Sequence, residues 1–502
     1  MIHGRYFSGS GLYRVERFFK RNRDTSAATV ELLAAPAGFV NPELRLFMSI
    51  RIRYVACAFT AALSIALLCA AVLLAAPRFV PGGEGDGPSI DGVISADGRY
   101  VAFASAASNL VPDDGNGLQD IFLHDRETGD TFRVSVGPAG EEPNGFSESP
   151  DISADGRFVA FHSTADNLVP YDTNMETDVF LYDRQEGTVE RVSLTSDDAQ
   201  AAGASYDPAL SADGRFVVFH SSAINLDPAD TDPATDVYIR DRQTGKTALV
   251  SVDAAGNQAA GYAGSAAVSA DGNIVVFGSI SDALVAGDDN DVEDIFVRNR
   301  AAGTTTRVSV RSGGGQANGD SFDPAVSANG RYVAFWSWAD NLTDEDTGGM
   351  PGVFVHDRQS GKTELISIAA GGGAADGEST MPALSTDGRY VVFESTATNL
   401  ISGDDDGAAD VFIHDRQAKT TALLSVGPEG AGNGPSARPA ITPDGRYVVF
   451  HSEADNLVED DGNGVSDVFL IDRTGGAPAR VSLAAGSVAP VESAVYLGVV
   501  IR

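Results

Sequence analysis

Residues 153–163 read SADGRFVAFHS and residues 178–184 read DVFLYDR. The first is a turn followed by consecutive apolar residues; the second is an apolar run closed by an acid and a base. Both recur. DGR or a close variant begins at Asp97, Asp155, Asp213, Asp271, Asn329, Asp387 and Asp444, in five steps of 58 residues and one of 57. The last acidic position of DVFxxDR falls at Asp125, Asp183, Asp241, Asn299, Asp357, Asp415 and Asp472 with the same steps. Seven copies of one unit stand in tandem, and a period of this length signals a repeat architecture.

Each copy holds four short apolar runs separated by turn residues; in the second copy they are PDIS, RFVAFHS, DVFLYDR and TVERVSL. All four read as strands. Asp155-Gly156 between the first two predicts a two-residue type I′ turn, in which both residues take positive φ. Phe158-Val159-Ala160-Phe161 is apolar without alternation, so both faces of that strand should be buried. Four-stranded sheets too small to fold alone achieve this by packing radially around an axis. The sequence thus predicts an all-β chain: a seven-bladed β-propeller of four-stranded antiparallel blades over 88–483, preceded by one N-terminal transmembrane or signal helix. A linear β-solenoid competes, but its rungs are shorter than these units.

SADGRYVAF at 95–103 and DVFIHDR at 410–416 resemble the TolB-type propeller repeats of bacterial envelope proteins, and the likeness runs through all seven copies. It implies the fold and an envelope location. TolB itself has a separate α/β domain ahead of its propeller. Here that place is held by an apolar segment and a short linker, so a role in the same translocation system is not implied.

Residues 55–76 carry no charge and are long enough to cross a bilayer. Nine basic and four acidic residues precede them in the segment 1–54, an asymmetry that keeps this segment cytoplasmic and exports the chain beyond the apolar run. Alternatively Met48 is the true start and the apolar run is a cleaved signal. Either way a linker at 77–87 leads to an exported propeller, periplasmic or extracellular, and membrane-anchored or secreted. The tail at 484–502 includes ESAVYLGVVI, which reads as one more strand.

Asp plus Glu number 70 against 35 Lys plus Arg, a formal charge of −35, so nucleic acid is excluded as a partner. Cys57 and Cys69 both lie in the apolar run, which leaves no thiol for zinc, disulfide or nucleophile chemistry in the repeats. The loop before each third strand is acidic. Six copies fit Asp-x-Asn/Asp-x-x-x-Asp: Asp114, Asn116, Asp120; Asp172, Asn174, Asp178; Asp230, Asp232, Asp236; Asp288, Asn290, Asp294; Asp404, Asp406, Asp410; and Asp461, Asn463, Asp467. In the fifth the last two become Gly348 and Gly352. Oxygen ligands at alternate positions closed by a later carboxylate suit Ca²⁺; the same residues also suit Asx turns that brace a tight loop. The Asp and Arg of DR and the Arg of DGR read as a structural ion pair, since function seldom needs seven copies of one site.

The position after the second strand's phenylalanine varies: Ala104, His162, His220, Gly278, Trp336, Glu394, His451. Variation inside a fixed frame suggests a surface. Trp336 and Trp338, the only tryptophans, form either a ligand platform or a plug between blades. No G-x-S-x-G elbow occurs. The expected function is a non-catalytic scaffold that binds a protein, peptide or glycan on one propeller face, stabilised by calcium and tied to the membrane by the N-terminal helix. The alternative is a glycan-active hydrolase or lyase, whose pair of carboxylates would hide easily among so many acids.

Overall fold

The structure, a computed structural model, describes residues 83–484 except 346, 405, 406, 429 and 476. The segment 1–54, the apolar run at 55–76 and the tail strand lie outside the described residues. Among the described residues no helix is long and apolar enough to cross a membrane.

Seven four-stranded antiparallel sheets span 89–133, 147–191, 205–249, 263–307, 321–365, 379–423 and 436–480. Within each, the strands follow chain order from the axis outward. The first blade is Ser89–Ile94, Tyr100–Ser105, Asp120–Asp125 and Asp130–Arg133. Its second and third strands are buried along their whole length, because the apolar runs face a neighbouring blade on both sides. Each buried cluster joins two successive blades. The last joins Val101, Phe103 and Phe122 of the first blade to Val449, Val468 and Leu470 of the seventh, which closes the ring. The two ends of the described segment meet there too: Glu84 pairs with Leu483, and the Ala484 N–H donates to the Gly83 carbonyl.

The DGR turn differs from the predicted type I′. Gly98 has φ 73°, while Asp97 is not among the positive-φ residues. The Gly98 N–H donates to the Ser95 carbonyl, and the Asp97 carboxylate accepts from the Ser95 hydroxyl and the Arg99 N–H. The loop is therefore a turn with a left-handed glycine after it, held by the aspartate side chain. The glycine has a second reason. A Cβ on Gly156 would lie 2.2 Å from the Tyr100 ring of the preceding blade, and one on Gly98 equally close to Tyr447 across the closure.

The repeated ion pair is within each blade, as expected. Arg99 reaches both oxygens of Asp125 at 2.9 and 2.6 Å, a fork repeated in five further blades. In the fourth blade both partners change together, to Asn273 and Asn299, 3.3 Å apart. The arginine of DR works between blades: Arg184 covers the Tyr100 ring at 4.2 Å and Arg126 covers Tyr447 at 4.7 Å. This end of the ring repeats one machinery, with the fourth blade's Asn273, Asn299 and Ile274 as its exceptions.

Candidate functional site

The opposite end carries the acidic loops. In blades one, two, four and seven a buried arginine from the outer strand lies among their carboxylates. Arg133 is 3.3 Å from Asp114 and 3.5 Å from Asp120; Arg191 is 3.0 Å from Asp172 and 3.5 Å from Asp178. Arg307 is 2.5 Å from Asp288 and 2.9 Å from Asp294; Arg480 is 3.5 Å from Asp461 and 3.7 Å from Asp467. The middle residue in these four is Asn116, Asn174, Asn290 or Asn463, and each donates a side-chain N–H to the third carboxylate at 2.9–3.3 Å.

The third blade departs from this at three positions. Leu249 stands where the arginine is, and Asp232 stands where the asparagine is. Tyr238 replaces phenylalanine, and its hydroxyl donates to Asp230 at 2.5 Å. The carboxylates of Asp230, Asp232 and Asp236 lie within 4.8 Å of one another. Gln258 donates its amide N–H to Asp230 and Asp236, 2.8 Å each, but a neutral donor leaves the negative charge uncompensated. Burial pushes Asp236 up to about 6. The sixth blade has Leu423 in the arginine's place beside buried Asp404 and Asp410; Asp406 lies outside the described residues. In the fifth, Gly348, Gly352 and Leu365 replace the second and third loop positions and the arginine; Asp346, the first loop position, lies outside the described residues. The arginines escaped the sequence reading, although their exchange for leucine tracks the exchange of asparagine for aspartate.

Toward the axis, every inner strand carries a bulge two residues from its start. The bulged residues are Asp91, Ser149, Asp207, Ser265, Asp323, Met381 and Arg438, all with φ of 45–56°. Beside each bulge one inner residue faces the variable second-strand position: Ile90–Ala104, Glu148–His162, Tyr206–His220, Gly264–Gly278, Phe322–Trp336, Thr380–Glu394 and Ala437–His451. Seven identical backbone frames hold seven different pairs around one mouth of the channel.

Contacts run from blade to blade around it. The N–H of Asp207 donates to His162 Nδ1 and that of Asp91 to His451 Nδ1, both at 3.3 Å; that of Arg438 donates to Glu394 at 2.9 Å. Burial holds all three imidazoles, His162, His220 and His451, below their usual range, which keeps Nδ1 free to accept. Asp207 lies 3.6 Å from His162 and 3.8 Å from His220, with the Tyr206 ring against both imidazoles. In the fourth blade the paired glycines leave room that Tyr262 and Glu293 fill. Burial, with Asp320 and Asp323 adding to it, pushes Glu293 up to about 7. Trp336 packs on Phe322 at 4.6 Å and donates its Nε1–H to Asp323 at 2.8 Å; Trp338, just past the strand, is 47% exposed. The second group of histidines does other work: His124, His356 and His414 bond threonines of their own outer strands.

No family model matches the chain, and no curated protein does. Among solved structures it is similar to an oligogalacturonate lyase in complex with manganese, at 12% identity over 77% of this chain and 90% of that one, TM-score 0.49. It is similar to TolB from Acinetobacter baumannii, at 15% identity over 72% of this chain and 67% of that one, TM-score 0.38. It is also similar to a puromycin-hydrolysing peptidase of Mycobacterium tuberculosis, at 14% identity over 82% and 58%, TM-score 0.49. Likenesses this distant carry no argument about activity. On its own sheets, the chain is a seven-bladed β-propeller of four-stranded antiparallel blades.

Proposed function

We propose that this is a non-catalytic binding scaffold of the bacterial envelope, exported and presenting the variable mouth of its ring to a protein, peptide or glycan partner. One observation carries the reading: the turn end of the ring repeats its side chains, whereas the inner positions around the mouth diversify them on an identical backbone. Scaffolding needs sevenfold sameness, whereas recognition of one partner needs an asymmetric surface. Capture from envelope extracts tests it. Wild-type protein should retain a partner that Tyr206→Ala and Trp336→Ala lose and that Glu127→Gln, at the opposite end, keeps. A glycan-cleaving activity abolished by changing one mouth carboxylate would replace this reading with the enzymatic one.

The same reading includes calcium in the third blade's loop, where Asp230, Asp232 and Asp236 would hold it. In four sister blades a guanidinium fills this place and an asparagine donates. Here both are gone, and three carboxylates offer hard oxygen ligands to a cation instead. Titration with calcium should raise the melting temperature of the wild type. The double change Asp232→Asn, Leu249→Arg restores the fourth blade's asparagine and arginine and should remove the third blade's share of that response while stabilising the metal-free protein. No shift in the wild type at about millimolar calcium, the weak end of such sites, would end the calcium reading.

A further inference from the structure

Resting on the mouth as the binding surface, we infer that its partner is a positively charged peptide segment, bearing lysine or arginine, seated on the half formed by blades two to five. Carboxylates and exposed rings alternate there. The side chains of Glu148 and Asp207 are 48% and 50% exposed, and Glu293 and Asp323 come in the next two blades. Tyr206, Tyr262 and Trp338 are exposed beside them. The lysines and arginines of these four blades are committed elsewhere: to the turns at the other end, to third and outer strands, or, for Arg311, to an outer connection. Arg438, the cation at a bulge, sits in the seventh blade and is 3.3 Å from Asp91. The histidines add no charge, since burial keeps them neutral. An acceptor is also left over. His220 is 12% exposed, and its buried Nδ1 has no hydrogen-bond partner among the described residues, whereas His162 and His451 each receive a backbone N–H at that atom.

An ammonium or guanidinium group fits this surface twice, through the carboxylates and through the ring faces, which attract cations by their quadrupole. On this half of the mouth an anionic ligand would meet like charge, the bulge cation Arg438 standing on the seventh blade. The seven-bladed frame contributes the rest: Glu148 and Tyr206 hold one inner-strand position in neighbouring blades, and Asp207 and Asp323 hold one bulge position two blades apart, a spacing an extended peptide can track.

Both tryptophans lie at this mouth, so their emission reports on it. Trilysine titrated into the purified full chain should change tryptophan emission saturably, with an apparent affinity that falls as salt rises. Asp207→Asn and Glu148→Gln should each weaken it, together about tenfold, with unchanged melting temperatures. Glu127→Gln should leave it as it is. An equal response to triglutamate, or trilysine titrations indifferent to both carboxylate variants, overturns the inference. If triglutamate or a neutral peptide instead gives a saturable response that Tyr206→Ala removes, the mouth still binds and only the sign of the ligand is wrong. If no probe responds and extract capture is indifferent to Tyr206→Ala, the reading of the mouth falls as well.

Discussion

At the scale of single residues, the same type of side chain is given opposite tasks by what surrounds it. Arg215 forks onto Asp241 and holds its carboxyl down at about 2, while burial lifts Asp120, in the first blade's loop, to about 6. Gly156 has φ 65° and meets the Tyr100 ring. Gly156→Ala therefore combines left-handed strain of about 1–2 kcal/mol with overpacking of about 1–3 kcal/mol, and denaturant melts should show a loss of at least about 2 kcal/mol. His451 gives a pH limb. Burial, reinforced by Arg438, pushes it down to about 4, against an ordinary value near 6.5. Its neutral form is the bonded one, so its contribution is intact above about pH 6.5 and drains away as pH falls toward 4, by at most about 3 kcal/mol. His451→Asn, which keeps an acceptor without titrating, should flatten that part of the stability profile measured by urea unfolding from pH 7 to 4.

At the scale of the blade, the acidic loop, the outer-strand arginine and the middle asparagine form one unit that changes as a unit. Removing the arginine alone leaves two buried carboxylates facing each other, which costs about 3–5 kcal/mol when a buried pair is broken. Arg307→Leu should lose that much on chemical denaturation. Adding Asn290→Asp to it reproduces the third blade's pattern, and part of the lost stability should return with calcium and vanish with chelator. Much of this unit was legible in the chain: six loops with the same acid spacing were visible, and so was the glycine decay of the fifth. The arginine was not, because it stands thirteen residues beyond the loop's last aspartate and meets it only when the outer strand pairs alongside the third. The turn was half legible. Asp-Gly marked its place, but the type depended on the aspartate side chain folding back onto Ser95 and Arg99.

At the scale of the whole molecule, the ring closes by side-chain packing and by the meeting of its two ends, so no blade is privileged. Joining residue 484 to residue 83 and reopening the exposed connection at 371–373 should give a protein with the same cooperative melt by circular dichroism, because each blade keeps both neighbours. A non-cooperative or strongly lowered melt would show that the natural junction matters beyond its contacts. The sequence alone determined the number of blades, the four strands of each and the ion pair of the repeated end. These rest on spacing, turn chemistry and apolar runs, all of which act over a few residues. Only the tertiary structure decided which side chains stand together at the mouth: Asp91 beside Arg438 across the closure, Glu293 above Gly278, His162 between Glu148 and Asp207 of the next blade. Those neighbours come from different blades or from distant strands and loops of one blade, and a bulge that turns seven inner residues toward the axis is set by how the sheets twist and crowd at the centre, which no local pattern encodes.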